Sequence, residues 1–334
     1  MDRIKYVDAL KFLAITAIVL QHIICFWDTT GILNITFADI EEVIKFGVPI
    51  FLMLTGMLTL NKEIELKEFF KKKFVRIICP FAFFLLIAYV TGVYDSFLTV
   101  YWYCWMIIAM YLAIPIINVF IRNAKDNEIE YYVIMFLLAS LIYSIAKIFE
   151  VRMALDLDFF IGPAAYLILG YYISRKDFKL SPNSLAVISL IVFIAASIFK
   201  VYFYTPLFIN ASSIISSHLN FALPQIIQVA ALFLFIKSVY ESSRGLFGKI
   251  RSVLETKYVN GIILSISRSS YGIYLVHMII LRKFIHPVVK NTHMSGTNTM
   301  ITVIVLTTGL LLVSWIIIVI LSRIPYVNKV SGYA

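Results

Sequence analysis

About ten stretches of this chain are apolar over roughly the 20 residues a helix needs to cross a bilayer. No other feature narrows its fold as much. The runs fall near residues 7–27, 40–60, 77–94, 102–121, 130–148, 159–174, 184–204, 221–240, 261–284 and 298–321. Inside hydrocarbon a single segment satisfies its backbone only as a helix. Composition agrees, since 14% of the 334 residues are charged and 61% are hydrophobic, against about 25% charged in an average soluble domain. A soluble globular protein is excluded, and no stretch is polar enough for a separate soluble domain. The expected fold is all-α, a polytopic membrane helix bundle of about ten transmembrane helices, forming one integral membrane domain over residues 1–334.

Helix punctuation occurs in two spans, Pro49 with Gly56 in the second and Pro115 in the fourth. Such breaks are tolerated where neighbours or cavities satisfy the freed backbone. The sixth run, FIGPAAYLILGYYI, carries small residues that permit close helix approach. Arg268 interrupts the start of the ninth. The first run has a basic flank and no small-residue cleavage site after it, so it reads as a retained anchor.

The net charge of +10 could suggest nucleic acid, but its distribution is topological. With the N-terminus inside, most Lys and Arg, among them Lys67, Lys71, Lys72, Lys73, Arg76, Arg244 and Lys249, fall in cytoplasmic segments. The outer segments hold only Lys147, Arg152, Lys200, Arg282, Lys283 and Lys290. Because Lys and Arg gather on the cytoplasmic side, both termini are expected there, and no nucleic-acid partner is implied. Cys25, Cys79 and Cys104 sit in apolar runs without pairing or metal spacing. They read as small buried residues.

Polar groups inside the spans are the candidates for chemistry, because an ionisable side chain there is costly. The first span carries Asp8, Lys11 and His22. At about 100° per residue, Lys11 lies roughly 20° from His22 and Asp8 roughly 40° to the other side, so all three share one stripe. Snorkelling to the interface accounts for Lys11, but not for a histidine about 16 Å further along. Before span three, NKEIELKEFFKKKFVRIICPF is amphipathic and basic. Lys73 and Arg76 are three apart and share a helix face. One reading is a headgroup anchor; the other is an anion site of Lys71, Lys72, Lys73 and Arg76 for cofactor phosphates. Trp102, Tyr103 and Trp105 open span four, either as an aromatic belt or as a stacking surface for a sugar. Tyr271, Tyr274 and His277 recur every three residues in span nine and fall on one face. The charges Glu150, Arg152, Asp156 and Asp158 read as solvated, and the Ser- and Asn-rich outer loop at 205–220 holds a lone His218 that implies no site.

Taken together, these stretches resemble the acyltransferase-3 family of integral membrane acyltransferases. The family's first span carries an aspartate, then a basic residue, ten residues and a histidine, matched by Asp8, Lys11 and His22. Its R-x-x-R with a following proline is matched by Lys73-Phe74-Val75-Arg76 and Pro80. Trp102 to Pro115 and the string SYGIYLVH, Ser270 to His277, follow in the family's order. Lysine replaces arginine at Lys11 and Lys73, giving a point charge in place of a planar fork. The resemblance runs from about residue 5 to 320 and is to the stand-alone type, without a fused esterase-like domain.

That resemblance implies transfer of an acyl group, usually acetyl, from cytoplasmic acyl-CoA to an acceptor hydroxyl. The acceptor is a cell-surface or lipid-linked glycan at a bacterial-type plasma membrane. Acetyl-CoA is the co-substrate and no metal is called for. His22 is then general base or transient acyl carrier, with Lys11 and Asp8 tuning the cytoplasmic end of the path. Lys71, Lys72, Lys73 and Arg76 bind the cofactor. Trp102, Tyr103, Trp105, Tyr274 and His277 face the acceptor, among membrane lipids. The competing expectation is an exporter or flippase of a polysaccharide or lipid-linked sugar, for which broken helices and intramembrane charges are equally natural. Nothing in the sequence speaks to oligomeric state.

Overall fold

The computed structural model describes residues 3–25, 36–93, 101–149, 155–204, 222–289 and 297–333. Glu150, Arg152, Lys290 and the 205–220 loop with His218 lie outside these residues. The helices are α1 (Lys5–Ile24), α2 (Phe37–Ile44), α3 (Gly47–Thr59), α4 (Leu66–Lys73), α5 (Cys79–Val90), α6 (Trp102–Asn123), α7 (Asp126–Ile148), α8 (Pro163–Arg175), α9 (Pro182–Phe199), α10 (Leu223–Glu241), α11 (Gly245–Leu254), α12 (Lys257–Ile280), α13 (His286–Val289) and α14 (Thr297–Leu321). Three π-helical turns, Phe74–Ile78, Lys200–Tyr204 and Leu281–Ile285, follow α4, α9 and α12. Among the described residues there is no strand, and nine helices are long and apolar enough to cross a membrane.

The expected sixth span differs in kind. It holds α8, which has 13 residues and so rises about 20 Å, short of the roughly 30 Å hydrocarbon core. Its start is set by Gly162 at φ 135°, with Pro163 at the first helical position, where its missing N–H costs nothing.

The chain divides into two compact units. One holds Met1–Leu10, Val48–Lys62 and Ala113–Asn260; the other holds Lys11–Gly47, Glu63–Leu112 and Gly261–Ala334. Helices α1, α6 and α12 each contribute residues to both.

In the first unit α3 and α8 cross at two glycines. A Cβ on Gly56 would sit 1.9 Å from the Leu167 carbonyl oxygen, and one on Gly170 would sit 2.1 Å from that of Met53. Only residues without a side chain allow that approach. Gly56, expected as helix punctuation, is thus a contact within an unbroken α3. Pro49 lies in the first turn of α3, after the helix break that follows Ile44. The end of α3 is held by buried Asn118, whose Oδ1 accepts from the Asn61 N–H and whose amide donates to the Lys62 carbonyl, both at 2.7 Å. Helices α9 and α10 pack along their lengths. Between them the Gln228 amide donates to Ser197 Oγ at 2.8 Å and Lys200 Nζ to Gln225 Oε1, the polar fastening expected between helices in lipid. Lys237 Nζ donates to the Ser174 carbonyl at 2.9 Å, capping the C-terminal end of α8 with a cation.

In the second unit Gly47 lies against α1, where a Cβ would meet the Ala14 carbonyl oxygen at 2.9 Å. Trp315 on α14 donates its indole N–H to Ser265 Oγ on α12 at 2.9 Å. The C-terminal turn packs on the same helix, the Gly272 N–H donating to the Gly332 carbonyl at 3.3 Å.

Candidate active site

In the second unit the last turns of α1 and α12 bring two histidines together. His22 is two residues from the end of α1, and His277 is three residues from the end of α12. Their ring centroids lie 5.3 Å apart, with planes at 40°. His277 is fully buried and His22 half-buried. The Nδ1 of His277 lies 3.0 Å from the Ile273 carbonyl oxygen, a contact in which the ring nitrogen donates. This tautomer leaves Nε2 as an acceptor, and that atom is buried with no hydrogen-bond partner. A buried polar atom without a partner carries a desolvation cost of about 1–3 kcal/mol that a bound hydroxyl would relieve.

Aromatic rings fix His277 in place. Tyr274 lies 5.8 Å from its ring and is met edge-on by Tyr101 at 5.5 Å and Tyr103 at 5.4 Å. The Tyr101 hydroxyl donates to the Leu275 carbonyl. Tyr271 turns the other way, its hydroxyl donating to the Ile77 carbonyl at 2.9 Å. The three residues expected on one face therefore divide, with Tyr274 and His277 at the histidine pair and Tyr271 bonded to the turn after α4.

The aromatic opening of α6 divides as well. Tyr103 is buried, whereas Trp102 and Trp105 are 46% and 49% exposed, and Trp105 meets Phe81 edge-on at 5.1 Å. The three do not form a single stacking platform.

The basic segment lies in the same unit. Lys73 places its ammonium 4.3 Å from the centroid of Tyr111 and 5.5 Å from that of Phe69, a cation–π arrangement. Lys71 and Lys73 line a groove of about 440 Å³ whose other walls are apolar, among them Phe70, Phe74, Ile108 and Leu112. Lys72 and Arg76 are exposed and do not line it. The Phe74–Ile78 turn begins directly after Lys73. A π turn closes its hydrogen bonds with one extra residue, so the three-residue spacing no longer puts Arg76 on the face of Lys73.

Of the first-span residues, Lys11 is half-buried and belongs with His22 to the second unit. Asp8 belongs to the first unit, where it is buried and its Oδ2 accepts from Arg3 Nε at 2.6 Å. Among the described residues no three His, Cys, Asp or Glu side chains gather to hold a metal ion.

One residue at this site was absent from the sequence-based candidates, Tyr101. Its place directly before Trp102 was the available signal, but an aromatic there reads first as part of an interfacial belt. A family model described as an acyltransferase domain, that of the acyltransferase-3 family, matches residues 4–319. No curated protein and no solved structure matches the chain.

Proposed function

The chain belongs to the acyltransferase-3 family and is a membrane acyltransferase; on that premise we propose that it moves an acetyl group from cytoplasmic acetyl-CoA to a hydroxyl of a cell-surface or lipid-linked glycan. The observation that carries this reading is the His22–His277 pair, held in the same unit as the basic segment and its groove. His22 takes the proton of the acceptor hydroxyl. His277, with its free Nε2 acceptor, holds that hydroxyl in line, and Tyr274 and Tyr103 form the wall beside it. Trp102 and Trp105, on the exposed side, meet the lipid part of a lipid-linked acceptor. An imidazole suits the proton transfer because its unperturbed pKa is about 6.5.

On the donor side, Lys71, Lys72, Lys73 and Arg76 attract the phosphates of CoA, and the apolar groove beside Lys71 and Lys73 suits the uncharged pantetheine arm. Lys11 orients the path toward His22, and Asp8 with Arg3 holds the N-terminal start of that helix. The charge asymmetry of the loops supports a cytoplasmic position for the basic segment, and the proposed setting is a bacterial-type plasma membrane with acyl-CoA supplied from the cytoplasm.

The decisive comparison is glycan O-acetyl content, by mass spectrometry, in cells carrying the wild type, His22→Ala or no copy of the gene. His22→Ala is expected to match the null strain at normal protein level, since loss of a general base costs at least about a hundredfold. Undiminished O-acetylation in that variant returns His22 to a packing role.

A further inference from the structure

Tyr111 has no role in the reaction as read so far, yet it meets a cation of the basic segment at close range. Of the cations assigned to the donor, Lys71, Lys72 and Arg76 are exposed and Lys73 is half-buried. Lys73 closes α4, and Tyr111 stands on α6 in the same unit. Both line the groove of about 440 Å³. The Lys73 ammonium lies 4.3 Å from the centroid of the Tyr111 ring, well inside the reach of about 6 Å for a cation over an aromatic face. Phe69, edge-on to Tyr111 at 6.3 Å, brings a second ring to 5.5 Å from the same ammonium. A lysine is a point charge on a flexible stem, and at a membrane surface it ordinarily snorkels into water. Here the rings hold it against the groove instead. An ammonium has several N–H donors, and a ring face draws on its charge from one side, so an anion can meet it from another.

We propose that Tyr111 is a positioning residue for the acyl donor: its ring fixes the Lys73 ammonium at the groove wall, where that ammonium meets a phosphate of CoA. The inference rests on the reading of this groove as the donor site. Ordering a long, flexible side chain at the moment of binding costs affinity. A residue that orders it beforehand lowers that cost. The ring acts on Lys73 through charge rather than shape, since the negative face of its π system attracts the cation. The aromatic ring is therefore essential to the role and the hydroxyl is not.

The test measures equilibrium binding of CoA to the purified full-length protein in detergent. Wild type is expected to bind, and Lys73→Met to bind less tightly. No binding by wild type, or wild-type affinity in Lys73→Met, overturns the donor reading of the groove and this inference with it. With those two results as expected, variants of Tyr111 decide the inference alone. Tyr111→Leu is expected to raise the Kd for CoA about threefold to thirtyfold, and Tyr111→Phe, which keeps the ring, to stay within about twofold of wild type. In the Lys73→Met background Tyr111→Leu is expected to change nothing further, because the cation that the ring holds is gone. A wild-type Kd in Tyr111→Leu overturns the assignment, as does a loss in Tyr111→Phe as large as that in Tyr111→Leu. An equal loss with and without Lys73 also overturns it and makes Tyr111 a packing residue of the groove wall. Tyr111→Met carries the same expectations should the leucine variant not fold.

Discussion

At the scale of single residues, charge and burial separate the groups that build the protein from those proposed to act. Glu255, between α11 and α12, is a builder. Burial alone would raise its carboxyl, but Lys5 and Arg251, each 3.2 Å away, outweigh that and hold it below its ordinary value of 4.5. A depressed folded value means that the carboxylate stabilises the fold fully above pH 4.5 and ceases to as pH falls through the lowered value. Glu255→Gln is expected to destabilise by about 0.5–1 kcal/mol at neutral pH, the scale of a partly exposed ion pair. The difference from wild type should vanish in acid, where both side chains are neutral; unfolding midpoints in detergent across that pH range check it. His277 is the opposite case, a buried imidazole whose second nitrogen no protein group satisfies. Its type and spacing could be read from the sequence, but its partner His22, 255 residues away, could not.

At the scale of elements, the α3–α8 crossing is the most demanding contact in the first unit. Gly56→Ala would push a methyl group into the Leu167 backbone and Gly170→Ala into that of Met53. Backbone cannot step aside as a side chain can, so each is expected to cost at least about 1–3 kcal/mol and to lower the yield of folded protein. Gly261→Ala on α12 is the matched control, since a Cβ there meets nothing within 4 Å. Removing a helix-interior glycine is then expected to be neutral or stabilising by up to about 1 kcal/mol. Thermal unfolding of the three variants separates packing from propensity. The sixth span shows what hydropathy can and cannot read. Its small residues are visible in the sequence, but the length of α8 is set by Gly162 with Pro163 at one end and Lys176 at the other.

At the scale of the whole molecule, the loop charges make a claim about orientation that labelling can check. Lys67 and Lys283 are both exposed, and the charge rule puts them on opposite sides of the membrane. In a background without Cys25, Cys79 and Cys104, Lys67→Cys is expected to react with a membrane-impermeant maleimide only after permeabilisation. Lys283→Cys is expected to react in intact cells. The reverse pattern would invert the protein and put the basic segment on the wrong side for cytoplasmic acyl-CoA. The interleaving of the two units, with α1, α6 and α12 contributing to both, left no trace in composition, because each unit draws on the same apolar helices.

Sequence alone determined that the chain is helical and polytopic. Hydrocarbon leaves a lone apolar segment no other way to satisfy its backbone, so run length is sufficient information. It also marked His22, Lys73, Tyr274 and His277 as polar or aromatic groups in need of a reason. Only the tertiary structure decided which of them meet. A π turn after Lys73 moved Arg76 off the shared face, and the rotation of α6 buried Tyr103 while exposing its two tryptophan neighbours. Helix rotation and turn register are set by packing between segments far apart in the chain, and periodicity within a single run carries no record of them.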